Sequence, residues 1–185
     1  LGDVDISRAQ AFQSNKKFLF ERSKETLGLL YANHFPYKQK ETARGIRRSP
    51  FHEHLKSKGA VFGESAGWER ANWFSDPGQK NDYVYSWKRQ NWFKNAEREH
   101  TAIRQNVGVY DMSSFGKIKI EGPDSESFLN YVCGANLSVP TGKIVYTQLL
   151  NSKGGIEADV TVTRLSLSSY MLVTSSSTVV ADQAW

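Results

Sequence analysis

The chain has one cysteine, two methionines and five prolines in 185 residues. A single thiol excludes an internal disulfide and fits a reducing compartment. Cys133 itself reads as a buried helix residue, as free cysteines commonly are. No apolar run approaches 18 residues, so no membrane-spanning helix is expected. No G-x-G-x-x-G follows a strand, which excludes a dinucleotide-binding unit within this stretch. There is no internal repeat and no low-complexity tract. His52 and His54 are the one hint of a metal site. On a helix, positions i and i+2 do not face each other, no third ligand is near, and no metal is expected.

Charge is present but uneven. The net charge is +5, and residues 1–100 hold a balance of +6 against −1 for residues 101–185. A nucleic-acid partner would need a basic stripe on a recognisable module, and no zinc spacing, recognition helix or aromatic RNP motif is found. A solvated or inter-domain face explains the excess more simply, although it could assist capture of an anionic ligand.

What is abundant is large apolar side chains, with ten Phe, eight Tyr and five Trp, enough to build a core in one or two domains. Asp5 can cap a helix over residues 5–27 that turns Ile6, Ala9, Phe12, Leu19 and Leu27 inward and stops at Gly28. Residues 31–37 read as extended, with Pro36 restricting its predecessor. Ser49-Pro50 starts a short helix that Gly59 closes. Residues 75–81 form a loop around Asp76-Pro77-Gly78. A helix over residues 96–105 places Ala96, Ile103 and Val107 inward. A strand follows at 117–121, a helix after Asp124 carries Phe128, Leu129 and Val132, and another strand spans 170–174.

The block Gly142 to Leu165, GKIVYTQLLNSKGGIEADVTVTRL, carries the most information. Two runs of alternating character, 144–150 and 156–164, flank a turn rich in Gly, Asn and Ser, as in a β-hairpin. Ile156, Ala158, Val160 and Val162 share one face, and Glu157, Asp159, Thr161 and Thr163 the other. Aspartate is depleted in strands, so Asp159 stands out. Spacing alone leaves it a solvated polar-face residue more often than a functional one. Tyr146 reads as a cross-strand aromatic, and Asn151 with Gly154-Gly155 as turn chemistry.

The pattern formed by Tyr146, Thr147, Leu150, Asn151, Gly154, Gly155, Ile156, Asp159 and Val162 resembles the folate-binding domain of the glycine-cleavage T-protein (aminomethyltransferase). That family shows two acidic residues in a row here; this chain has Ala158 for the first and keeps Asp159. The stretch VYDMSSFG, 109–116, resembles the T-protein D-M-S motif in the form found in sarcosine and dimethylglycine dehydrogenases. ETARGIRRSP (41–50) and GAVFGESAGWERANWF (59–74) resemble the segment joining the flavin and folate halves of those enzymes. DVDISR (3–8) resembles the end of the flavin half.

The resemblance implies an α+β fold. Residues 1–78 would be a helical and extended joining segment from the end of a flavin oxidoreductase half. Residues 79–185 would be the N-terminal part of an antiparallel-sheet folate-binding domain. The chain is then expected to be a fragment, colourless and inactive alone. The implied parent oxidatively demethylates dimethylglycine or sarcosine with FAD and passes the one-carbon unit to tetrahydrofolate as 5,10-methylenetetrahydrofolate. Asp159 is the implied catalytic carboxylate. Tyr146, Met112, Ser113 and Asp111 are implied to line the folate pocket, although Asp111 could equally cap a turn. Gly67–Phe74, with three aromatics, Glu69 and Arg70, looks like a docking element between the two halves, and Arg44, Arg47 and Arg48 would brace that interface or face water. The implied compartment is cytoplasmic in a bacterium or the mitochondrial matrix in a eukaryote, with a small-molecule substrate, no nucleic acid and no membrane. A non-catalytic relative, the regulatory subunit of pyruvate dehydrogenase phosphatase, is the alternative.

Overall fold

A computed structural model describes residues 6–35 and 37–185. Asp5 as a cap, Pro36 and the first half of the DVDISR motif lie outside these residues. The chain forms two compact units, residues 10–114 and residues 115–185 with 6–9. The division expected near residue 78 falls inside the first of these. As foreseen, the architecture is α+β.

Where the chain enters the unit of residues 10–114, the single helix expected over 5–27 is broken, and residues 6–9 belong to the other unit. Short 3-10 turns occupy Ile6–Arg8 and Ala11–Ser14, and α1 runs only over Lys16–Gly28. Gln10 causes the break. It is extended, with φ −102° and ψ 154°, and buried, because its Oε1 accepts a bond from Arg47 NH1 at 2.5 Å. Asn15 then restarts the helix, its Oδ1 accepting from the Lys17 and Phe18 amides at 3.0 and 3.2 Å. No residue of α1 is buried, so Leu19 and Leu27 do not face inward as expected.

The next helix, α2, spans His52–Ser57. Ser49 sets its start, with its carbonyl accepting from the His52 amide and its Oγ from the Phe51 amide at 3.2 Å. Strands β1 (Ala60–Ser65) and β2 (Trp68–Phe74) pair antiparallel, from Ala60 opposite Phe74 to Ser65 opposite Trp68. The two-residue turn between them has φ of +50° at Ala66 and +80° at Gly67, the sign a right-twisted hairpin requires at both positions. Trp73 is sealed in against Trp92 and Tyr83.

Strand β2 buries Glu69 and Trp73 and pairs with β1. Glu69 receives Arg44 and the Gly45 amide, and Arg47 lies over the Phe12 and Trp68 rings. Only Arg48 is left on the surface, 3.5 Å from Glu53.

The last helix of this unit, α3, spans Phe93–Gln105. Its buried residue is Asn95, while Ala96, Ile103 and Val107 are exposed, contrary to expectation. Asn95 is drawn in because its Nδ2 donates to the Phe74 carbonyl at 2.7 Å and to Gln79 Oε1 at 2.9 Å. That is a polar anchor, which apolar periodicity does not register.

The unit of residues 115–185 is a four-stranded antiparallel sheet. Its strands are β3 (Gly116–Glu121), β4 (Ile144–Leu150), β5 (Ile156–Ser166) and β6 (Ser169–Thr174), in the order β3-β6-β5-β4. Helix α4 (Ser125–Val132) lays Leu129 on it, and Leu137, Leu149, Val160, Val162, Tyr170 and Leu172 complete the core. Cys133, just past α4, is buried in the same cluster, and burial pushes its thiol up to about 11. Helix α5 spans Val179–Ala184, where Asp182 accepts from Thr178 Oγ1 at 2.8 Å. Ile156, expected inward, is exposed at the sheet end.

Candidate functional site

The hairpin β4–β5 forms as its alternation requires. Val160 and Val162 point into the core, so the intervening Asp159, Thr161 and Thr163 take the opposite face. Register decides the company Asp159 keeps. Gln148 stands directly across from it, and Tyr146 across from Thr161, diagonal to Asp159. Gln148 Nε2 approaches Asp159 Oδ1 at 3.5 Å. The nearby Asp159 carboxylate is the largest influence holding the Tyr146 phenol above its usual pKa. An exposed carboxylate thus has one long donor contact, from Gln148, and a phenol diagonal to it. The turn below is fixed by Asn151, whose Oδ1 accepts from the Lys153 and Gly155 amides at 3.0 and 2.9 Å, and by Gly154 at φ +76°.

Asp111, Met112 and Ser113 lie in the other unit. Asp111 Oδ1 accepts from the Ser113 amide at 3.0 Å, a local turn bond. Its Oδ2 accepts from the hydroxyl of Ser49, 62 residues earlier. Both the capping reading and a wider one are thus realised in one side chain. Met112 is about half exposed and lines a cleft of about 420 Å³ together with Trp68, Glu99, Tyr110, Asp111 and Ser114. Burial raises the Glu99 carboxyl, against the bond it accepts from the Phe74 amide. Ser114 Oγ is buried without a partner.

Tyr146 and Asp159 are therefore brought together, and so are Asp111, Met112 and Ser113. The two groups belong to different units. Sequence reasoning missed Gln148, whose role emerges only from strand register. It also missed Ser49 as a partner of Asp111, since as a helix cap it already had an explanation. Glu99 and Ser114 gave no sequence signal. His52 is buried and stacked on Phe62, His54 is exposed, and no group of three metal-ligating side chains occurs among the described residues.

Comparison with known proteins adds the following. Residues 51–185 match the GCVT N-terminal domain, and residues 1–49 the FAD dependent oxidoreductase central domain. 4-Methylaminobutanoate oxidase (formaldehyde-forming) of Paenarthrobacter nicotinovorans is 45% identical over 175 residues, covering 95% of this chain and 21% of the relative. Human mitochondrial sarcosine dehydrogenase is 34% identical over 187 residues, covering 88% and 20%. The crystal structure of glycine cleavage system aminomethyltransferase T from Bartonella henselae superposes with a TM-score of 0.57 at 26% identity, covering 76% of this chain and 34% of that one. The chain spans about a fifth of the length of these curated relatives.

Proposed function

Because this chain belongs to the GCVT N-terminal domain family, we propose that it is part of a flavin-linked demethylating oxidoreductase and carries part of the site that receives the one-carbon unit. The substrate of the parent is an N-methylated glycine, dimethylglycine or sarcosine, and the product is 5,10-methylenetetrahydrofolate. FAD would be held by residues outside this stretch, which contains no dinucleotide fingerprint. The joining-segment character of residues 1–78 and the folate-domain character of residues 79–185 belong to the same proposal.

The residues present fit tetrahydrofolate. The polar face of β4 and β5 offers an exposed carboxylate with Gln148 across from it and Tyr146 diagonal to it, and the cleft in the other unit combines aromatic walls with an unpartnered hydroxyl. Tetrahydrofolate, when bound, supplies the amine that captures the one-carbon unit. Asp159 accepts the proton which that amine releases, and its negative charge offsets the positive charge developing nearby. Tyr146 and Gln148 orient the carboxylate, and Tyr146 also walls the ligand. Asp111 holds the loop bearing Met112 and Ser113 against Ser49, and Met112 lines the cleft of its own unit.

The observation that carries the reading is the exposed Asp159 carboxylate with Gln148 across from it and Tyr146 diagonal to it on β4. The test is Asp159→Asn in the intact enzyme. Flavin reduction by the amine should persist while methylenetetrahydrofolate per turnover falls by about 10²-fold or more, the usual scale of a lost acid–base group. An unchanged yield would remove Asp159 from the reaction. An intact wild-type protein that never reduces its flavin would favour the non-catalytic, regulatory reading.

A further inference from the structure

The positive balance of residues 1–100 has a focus. In the unit of residues 10–114, a cleft of about 560 Å³ is lined by Lys40, Arg48, His52, Lys56, Tyr83 and Tyr85, among others. Arg44 and Glu69 also reach it, but they neutralise each other. Among the described residues, no carboxylate lies within ion-pair distance of Lys40 or Lys56, and Arg48 has only a long contact to Glu53, both side chains being mostly exposed. Such a surface pair holds neither charge firmly.

Two further donors are ready. The Tyr83 hydroxyl accepts from Asn72 Nδ2 at 2.9 Å and the Tyr85 hydroxyl from the Gln39 amide at 2.8 Å. Each therefore keeps its own hydrogen for another acceptor. Two other carboxylates line the cleft. Asp82, in an equally exposed 3.4 Å contact with Lys80, and Glu41 are the opposing charges, two against three cations.

We propose that this cleft binds an oligoanion, a ligand carrying two or more phosphate or carboxylate groups. Three cations around one concavity concentrate positive potential, and its volume accommodates more than one anionic group. The uncompensated lysines, with the Tyr83 and Tyr85 hydroxyls beside them, are what such a ligand would complete. The site is independent of Asp159 and of the folate reading.

The test is isothermal titration of the 185-residue chain with inorganic pyrophosphate and, separately, with triglutamate. One saturable site is expected. The tighter of the two probes identifies phosphate or carboxylate as the ligand chemistry. Lys40→Ala with Lys56→Ala should weaken binding about tenfold, and Glu41→Gln should strengthen it about twofold, as expected for unit charges a few ångströms away in a solvated cleft. Lys58→Ala, outside the cleft lining, should change nothing. No saturable binding of either probe would overturn the proposal. So would equal weakening by Lys58→Ala, since that would make the general positive charge the cause.

Discussion

Glu69→Gln isolates the interaction that organises residues 10–114. Glu69 is 8% exposed and accepts from Arg44 Nε at 2.9 Å, Arg44 NH2 at 2.5 Å and the Gly45 amide at 2.6 Å. Burial pushes its carboxyl up, but Arg44 and the Gly45 amide outweigh burial and leave it below the usual carboxylate range. Glutamine keeps the shape, removes the charge and turns an N–H group towards a donor. Removing one member of a buried pair costs about 3–5 kcal/mol. The Arg44 side chain retains 27% exposure, so water can solvate it and the low end, about 3 kcal/mol, applies. At roughly 4 °C per kcal/mol for a domain of this size, Tm should fall by about 12 °C. Tryptophan fluorescence reports chiefly on this unit, since Trp68, Trp73, Trp87 and Trp92 lie in it and only Trp185 lies in the other. Because the folded carboxyl is depressed, its contribution is complete above the unfolded value of about 4.3 and is lost as pH falls through the folded one. The gap between wild type and variant should therefore be full at pH 7 and close in acid. A fall below about 4 °C at pH 7, or a gap that persists undiminished at low pH, would refute the reasoning.

Other outcomes follow from the same coordinates. Leu129→Ala empties the centre of the sheet's core and should cost about 3 kcal/mol in denaturant unfolding. Gly154→Ala, at φ +76° with open space around the new methyl, should cost about 1 kcal/mol from backbone strain alone. Cys133, with its thiol at about 11, holds roughly one thiolate per thousand at pH 8, so it should react with a disulfide reagent only when the unit unfolds. Asp159→Asn should move the Tyr146 phenol back towards its ordinary pKa in an ultraviolet titration, because the carboxylate is the largest influence raising it.

The hairpin of residues 144–166 was legible because two local signals agree. Alternation assigns the faces, and the turn from Asn151 to Gly155, with its Gly154-Gly155 pair, sets where the chain reverses. Residues 10–114 were less legible for a physical reason. Their key burials are polar: Gln10 answers Arg47, Asn95 answers the Phe74 carbonyl, and Glu69 answers Arg44. Each links residues 21 to 37 positions apart, and polar pairing at that range has no periodicity to read. The helix expected over 5–27 failed at the residue where such a pairing, Gln10 with Arg47, overrides local propensity.

The candidate site divides along the same line. That Asp159 lies on the wet face follows from period two alone. That Gln148 and Tyr146 are its neighbours follows only from the pairing of 148 with 159, and a one-residue slip would carry both into the core. The bulge between Leu149 and Leu150 lies on the turn side of this pair, so it alters register after Gln148 and leaves the triad intact. Shortening the turn by one residue should therefore disturb Asp159 more than any substitution at the tip. Should Tyr146 titrate unchanged after such a deletion, the turn would not be what sets the register of this site.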